Sequence, residues 1–112
     1  MTIQEMFDKA VRGLAGQGWR RSAAEYGGCM YHSPNGDRCA WGHVDPEGTK
    51  GQSMYVSGLA RAGTGIAGQL TNDELTFVEA IQRAHDFGPV SEMPLRFKRL
   101  GERYGLAWPE GC

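Results

Sequence analysis

With 112 residues, 12 Lys+Arg against 13 Asp+Glu, and 17 glycines, the chain has room for one hydrophobic core and too little for two. The near balance of charge excludes the strong basic field of a general nucleic-acid binder and the dense acidity of a DNA mimic. No window approaches the roughly 18 apolar residues of a membrane span, MTIQEMFDKA lacks the parts of a secretory signal, and three cysteines without such a signal suit reduced thiols in a cytosolic protein.

The first helix is read from Ile3, Met6, Phe7, Ala10, Val11 and Leu14, which repeat at helical period. Thr2 and Glu5 form a capping box at its start, and Gly16 and Gly18 end it. The period then changes. Residues 29 to 43, CMYHSPNGDRCAWGH, place two short aromatic and small-apolar runs around Asn35-Gly36, the signature of a β-hairpin with a two-residue turn. Asp45-Pro46-Glu47-Gly48 supplies the next turn. From Gly51 to Gln69 periodicity is poor, with one short helix around Ser57 to Arg61 and a candidate third strand near Met54 to Val56.

The next helix starts at a second capping box, Thr71 with Glu74, buries Phe77, Ala80, Ile81 and Ala84, and stops at Gly88-Pro89. Ser91 caps the last helix, whose Met93, Phe97, Leu100 and Tyr104 form its apolar line. Gly105 is its C′ residue, with Leu106 reaching back. The expected fold is therefore α+β: one domain over residues 1–112, an antiparallel hairpin of two or three strands on three main helices.

The two cysteines and two histidines of residues 29–43 raise the question of a metal site. With a two-residue turn, residues summing to 71 face each other, so His32 opposes Cys39, and His32, Cys39 and His43 share a face. Cys39 and His43 are then four strand residues apart, roughly 13 Å, whereas zinc ligands converge to about 2.0–2.3 Å from one ion. Cys29 falls on the other face of its strand from His32. The reading is no metal and no cofactor, with Cys39 a small buried hydrophobe. A catalytic thiol would need His43 or His85 beside it and a lowered pKa. Gly63-Thr64-Gly65-Ile66-Ala67-Gly68 matches G-x-G-x-x-G, but no strand leads into it and no long helix leaves it, so it reads as a tightly turned loop. His85 sits at the edge of a buried face and reads as a core-edge histidine.

Charge is unevenly spread over the last two helices. Asp73, Glu74, Glu79 and Asp86 face a single Arg83 on one, while Arg96, Lys98, Arg99 and Arg103 outnumber Glu92 and Glu102 on the other. Mutual attraction of neighbouring helices is one account. The other is a contact surface for a partner, formed by Arg96, Arg99 and Arg103 with Trp108 exposed beside them, and by Asn35, Asp37 and Arg38 at the hairpin tip.

The segment Cys29-Met30-Tyr31 … Pro34-Asn35-Gly36 … Arg38-Cys39-Ala40-Trp41-Gly42, the Asp45 to Ser53 stretch, and the Ile81 to Asp86 and Tyr104-Gly105-Leu106 runs together resemble a group of small proteins of bacteriophages and prophages. The resemblance implies a role and no activity. Such proteins often bind a host protein stoichiometrically, as anti-CRISPR proteins inhibit a defence complex. The expected function is thus a non-enzymatic phage accessory protein that binds a host protein or defence complex in the bacterial cytoplasm. A small zinc-binding module, a small nucleic-acid-binding protein and a thiol-dependent enzyme are the alternatives.

Overall fold

A computed structural model of the chain describes residues 1–22 and 30–112. Cys29, the first residue of the expected hairpin, lies outside them. The described residues form five α-helices: α1 (Ile3–Gly16), α2 (Ala40–Val44), α3 (Val56–Arg61), α4 (Asn72–Asp86) and α5 (Met93–Arg103), with 3-10 turns at Ile66–Gln69 and Val90–Glu92. None is long and apolar enough to cross a membrane.

The long helices follow their sequence signals. Thr2 and Glu5 close one capping box and Thr71 and Glu74 another, with each threonine accepting from the glutamate's backbone N–H and each glutamate from the threonine's. Helix α1 buries Met6, Phe7, Ala10, Val11 and Leu14. Helix α4 buries Phe77, Val78, Ile81, Ala84 and His85, and α5 buries Met93, Phe97 and Leu100. At the end of α5, Leu106 N–H reaches the Gly101 carbonyl and Gly105 N–H that of Glu102, the paired bonds of a Schellman ending, with Gly105 at φ 66°. One start differs from expectation. Ser91 falls within the 3-10 turn, and Glu92 precedes α5 without a side-chain cap; Pro94 in the first turn, where a missing N–H costs nothing, helps the helix begin.

The α+β expectation is overturned. Among the described residues there is no sheet, and the hairpin is a single antiparallel bridge, His32 with Arg38. Its numbers sum to 70, so the two-residue turn is also corrected. Gly36 N–H bonds to the Ser33 carbonyl and Ser33 N–H to the Asp37 carbonyl, with Gly36 at φ 91°. This is a three-residue loop, a turn with Pro34 in second position followed by a residue in the left-handed region.

After one bridge the chain leaves the ladder. Residues 40–44, expected as a strand, are α2. On a strand, Ala40 and Val44 would point away from Trp41; on a helix all three face inward, and all three are buried. The turn is stabilised from outside, because the Trp41 backbone N–H bonds to Gln82 Oε1 of α4 at 2.9 Å. The candidate third strand is likewise corrected. Met54 and Tyr55 are irregular and Val56 opens α3, close to the short helix expected there.

In the core, α1 lies against α2 and α4, α3 against α4, and α4 against α5. Phe7 of α1 meets Phe97 of α5 at 6.5 Å. Trp19 holds φ 59°, a value bulky residues rarely adopt, and its ring stacks on Trp108 at 6.3 Å and lies 5.8 Å from Phe97.

Candidate functional site

The residues singled out in the sequence do not gather into one site. His32 Nε2 lies 2.8 Å from Thr49 Oγ1, His43 Nε2 lies 2.8 Å from Gln17 Oε1, and Cys39 Sγ accepts from Gln82 Nε2 at 3.5 Å. Each turns to a different neighbour. No group of three His, Cys, Asp or Glu among the described residues is placed to hold a metal ion. Burial pushes the Cys39 thiol up to about 11, and the Gln82 amide does not offset it. A thiol this reluctant to ionise is a poor nucleophile. Burial, with Arg38 and His85 nearby, takes His43 down to about 4. His85 is fully buried; its Nδ1–H donates to Asp86 Oδ1 at 2.7 Å and its Nε2 has no hydrogen-bond partner among the described residues.

The glycine loop at 63–68 already has its anion. The carboxylate of buried Asp45 accepts from Ile66 N–H at 2.9 Å and from Gly48 N–H at 3.0 Å. A Cβ on Gly65 would overlap Asp45 Oδ2 and lie 2.9 Å from the Gly48 Cα. The glycines thus let two loops close around an internal carboxylate, and the backbone N–H that a phosphate would seek is taken.

The residues expected to form the contact surface differ in exposure. Asp37 is buried, and Arg20 holds it with two parallel bonds of 2.9 and 3.0 Å. The Arg20 fork keeps its carboxyl below the usual range. Asn35 is exposed at the tip, where it bonds to Asp37, and Arg38 is half-buried. Arg96 is not part of a solvent stripe: its Nε donates to the Ala84 carbonyl at 2.8 Å and its Nη1 to that of Pro89 at 2.7 Å, capping the end of α4. Trp108, expected in solvent, is half-buried between Trp19 and Phe7 under Lys98 Nζ. Arg99 and Arg103 stay exposed. No ion pair joins α4 to α5 among the described residues, so attraction between their opposite charges does not take the form of salt bridges.

What the fold does build is a cleft of about 750 Å³ between the start of the hairpin, the segment from Thr49 to Ser57, and the C-terminal half of α4. Its size is that of a ligand or side-chain pocket. Tyr31 Oη donates to the Met54 carbonyl at 2.6 Å, tying the floor to one wall. His32 is oriented by a relay. Thr49 has one hydroxyl hydrogen, and its 2.8 Å bond to the Asp45 carbonyl uses it, so His32 Nε2–H donates to Thr49 and Nδ1 is left as an acceptor. Glu79, Gln82, Arg83 and Asp86 line the α4 side.

Four large apolar residues also line this cleft while remaining open to solvent: Met30, Met54, Tyr55 (87% exposed) and Phe87 (66% exposed). The sequence reading did not single them out. The available signal was that Phe87 follows the last turn of the α4 stripe and Tyr55 sits outside any periodic segment, large side chains with no core position assigned.

No family model, no curated protein and no solved structure matches the chain.

Proposed function

We propose that the protein is a non-enzymatic binding protein that seats part of a partner protein, stoichiometrically, in the cleft between the hairpin and α4. The observation that carries this reading is the clustering of Met30, Met54, Tyr55 and Phe87. Scattered exposed apolar residues are ordinary, whereas several around one concavity with a polar margin mark an interaction site. Methionine adds a flexible, polarisable surface that adapts to a partner. The state of the chemical groups supports binding over catalysis: the Cys39 thiol is raised by burial, and the His85 imidazole is sealed in the core. The resemblance to small phage proteins supplies the setting, a host protein or defence complex in the bacterial cytoplasm.

A photo-crosslinking residue placed at Tyr55, and separately at the exposed Asp73 at the far end of α4, tests the site in bacterial cells. The expected result is one dominant adduct from position 55, lost with Phe87→Ser and not formed from position 73. Equal adducts from both positions, or none from position 55, would end the reading.

A further inference from the structure

We infer that the cleft takes a cationic segment of its partner, one or more Arg or Lys side chains beside large apolar residues. The inference rests on the cleft being a binding surface and adds the chemistry of its occupant.

Among the described residues, the charged groups of the cleft are weighted towards carboxylates, Glu79 and Asp86 against Arg83. His32 lines the cleft with its Nε2–H committed to Thr49. Asp86 receives His85 Nδ1–H on Oδ1, which leaves Oδ2 open. Glu79 is exposed on the same wall and has no ion-pair partner among the described residues. Glu79 and Asp86 are seven residues apart on α4, so they share a face about 10 Å apart along the axis. The Gln82 carbonyl is already used by Trp41 N–H. Against these, among the described lining residues, stand one guanidinium, Arg83, and the neutral groups of Gln52, Ser53 and Ser57.

An acidic segment would face two carboxylates at close range, and an uncharged one would cover them with neutral donors only, leaving their charge uncompensated. An arginine supplies donors in a planar fork that suits a carboxylate, and its apolar neighbours can cover Tyr55, Phe87 and the two methionines.

Two fluorescein-labelled peptides test this, identical in their leucine and tryptophan positions and carrying arginines in one and glutamates in the other. Affinity is read by anisotropy at low salt, and location by amide shifts of the isotopically labelled protein. The arginine peptide should bind about tenfold more tightly, shift Tyr55 and Phe87, and lose about tenfold with Glu79→Lys. Asp73→Lys, at the far end of α4 and away from the cleft, should change nothing. Equal affinity for the two peptides, no binding of either, or indifference to Glu79→Lys overturns the cationic assignment. So does self-association that disappears with Arg99→Glu, which would make a second copy the occupant. The Tyr55→Ser/Phe87→Ser double variant separates the two levels. If it weakens both peptides while Glu79→Lys leaves the arginine peptide unchanged, the cleft stands as a binding surface and the charge preference falls; if both affinities persist in the double variant, the binding reading falls with it.

Discussion

Gly13→Ala is expected to destabilise the protein although it replaces a glycine inside a helix, a change that ordinarily helps. Alanine should gain about 1 kcal/mol from helix propensity. At Gly13, however, the new Cβ would lie 2.7 Å from His43 Cβ and closer still to the ring, against the 3.5–4.0 Å of an ordinary carbon contact. The imidazole must move by roughly 1 Å. It is held by Gln17 Oε1 at 2.8 Å, so the shift adds overpacking of about 1–3 kcal/mol and puts at risk a hydrogen bond of about 1 kcal/mol. The balance is a net loss of about 1–3 kcal/mol, or a melting temperature lowered by roughly 4–13 °C in a domain of this size. Gly16, in the last turn of the same helix, has nothing among the described residues within 4 Å of a built Cβ, so Gly16→Ala should be neutral or stabilising. Thermal and urea unfolding of both variants, and of Gly13→Ala on a His43→Gly background where the ring and its Cβ are both gone, complete the test. If Gly13→Ala melts at or above the parent, or costs as much without the imidazole as with it, the packing argument is wrong.

Asp45→Asn keeps the shape but turns an N–H donor towards Ile66 N–H or Gly48 N–H, and should cost about 1–3 kcal/mol in urea unfolding. His43 is held near 4 when folded and returns to its ordinary 6.5 when unfolded. The unfolded chain therefore binds more protons between those values, and stability should fall as pH drops from 6.5 to 4; His43→Gln should flatten that slope. Asp37 acts in a lower window: its folded pKa is depressed by Arg20, so its contribution is present above the ordinary value of 3.8 and lost as pH falls through the depressed one, and Arg20→Gln should abolish that acid-sensitive step. In peptide mapping after iodoacetamide at neutral pH, Cys112, which is exposed, should be labelled in the native protein and Cys39 only after unfolding.

The parts of the fold legible in the sequence are those whose determinants are local. Thr2 with Glu5 and Thr71 with Glu74 sit three residues apart, and the stripes of α1, α4 and α5 recur within two turns, so one helix suffices to read each. The Gly105 ending is equally local. Asp37 and Arg96 were misplaced because their partners are distant: Arg20 is 17 residues from Asp37, and the carbonyls that Arg96 caps belong to the preceding helix and the loop that follows it. A charged residue next to a turn, or within a row of arginines, carries no mark in sequence of whether it faces solvent or an orphan carbonyl.

The segment from Cys39 to Val44 shows the same limit in a sharper form, and it decides the candidate site. Arg-Cys-Ala-Trp-Gly-His-Val has the aromatic and small residues of a strand, and with only five residues in the helix no helical period can declare itself. The choice is made by Gln82, 41 positions later, which caps Trp41 N–H, and by the inward positions of Ala40, Trp41 and Val44 on a helix. Had the strand continued, Cys39 and His43 would lie on one sheet face, open to the same surroundings. With α2 in place, Cys39 at its N-cap sends the thiol to Gln82 and His43 within it sends the imidazole to Gln17. Cys39 is left as a buried floor to the cleft while the hairpin ends at Arg38. The turn into α2 therefore takes the sulfur out of any chemistry with His43 and, in the same step, leaves the segment from Met30 to His32 without a long partner strand, as one wall of the cleft.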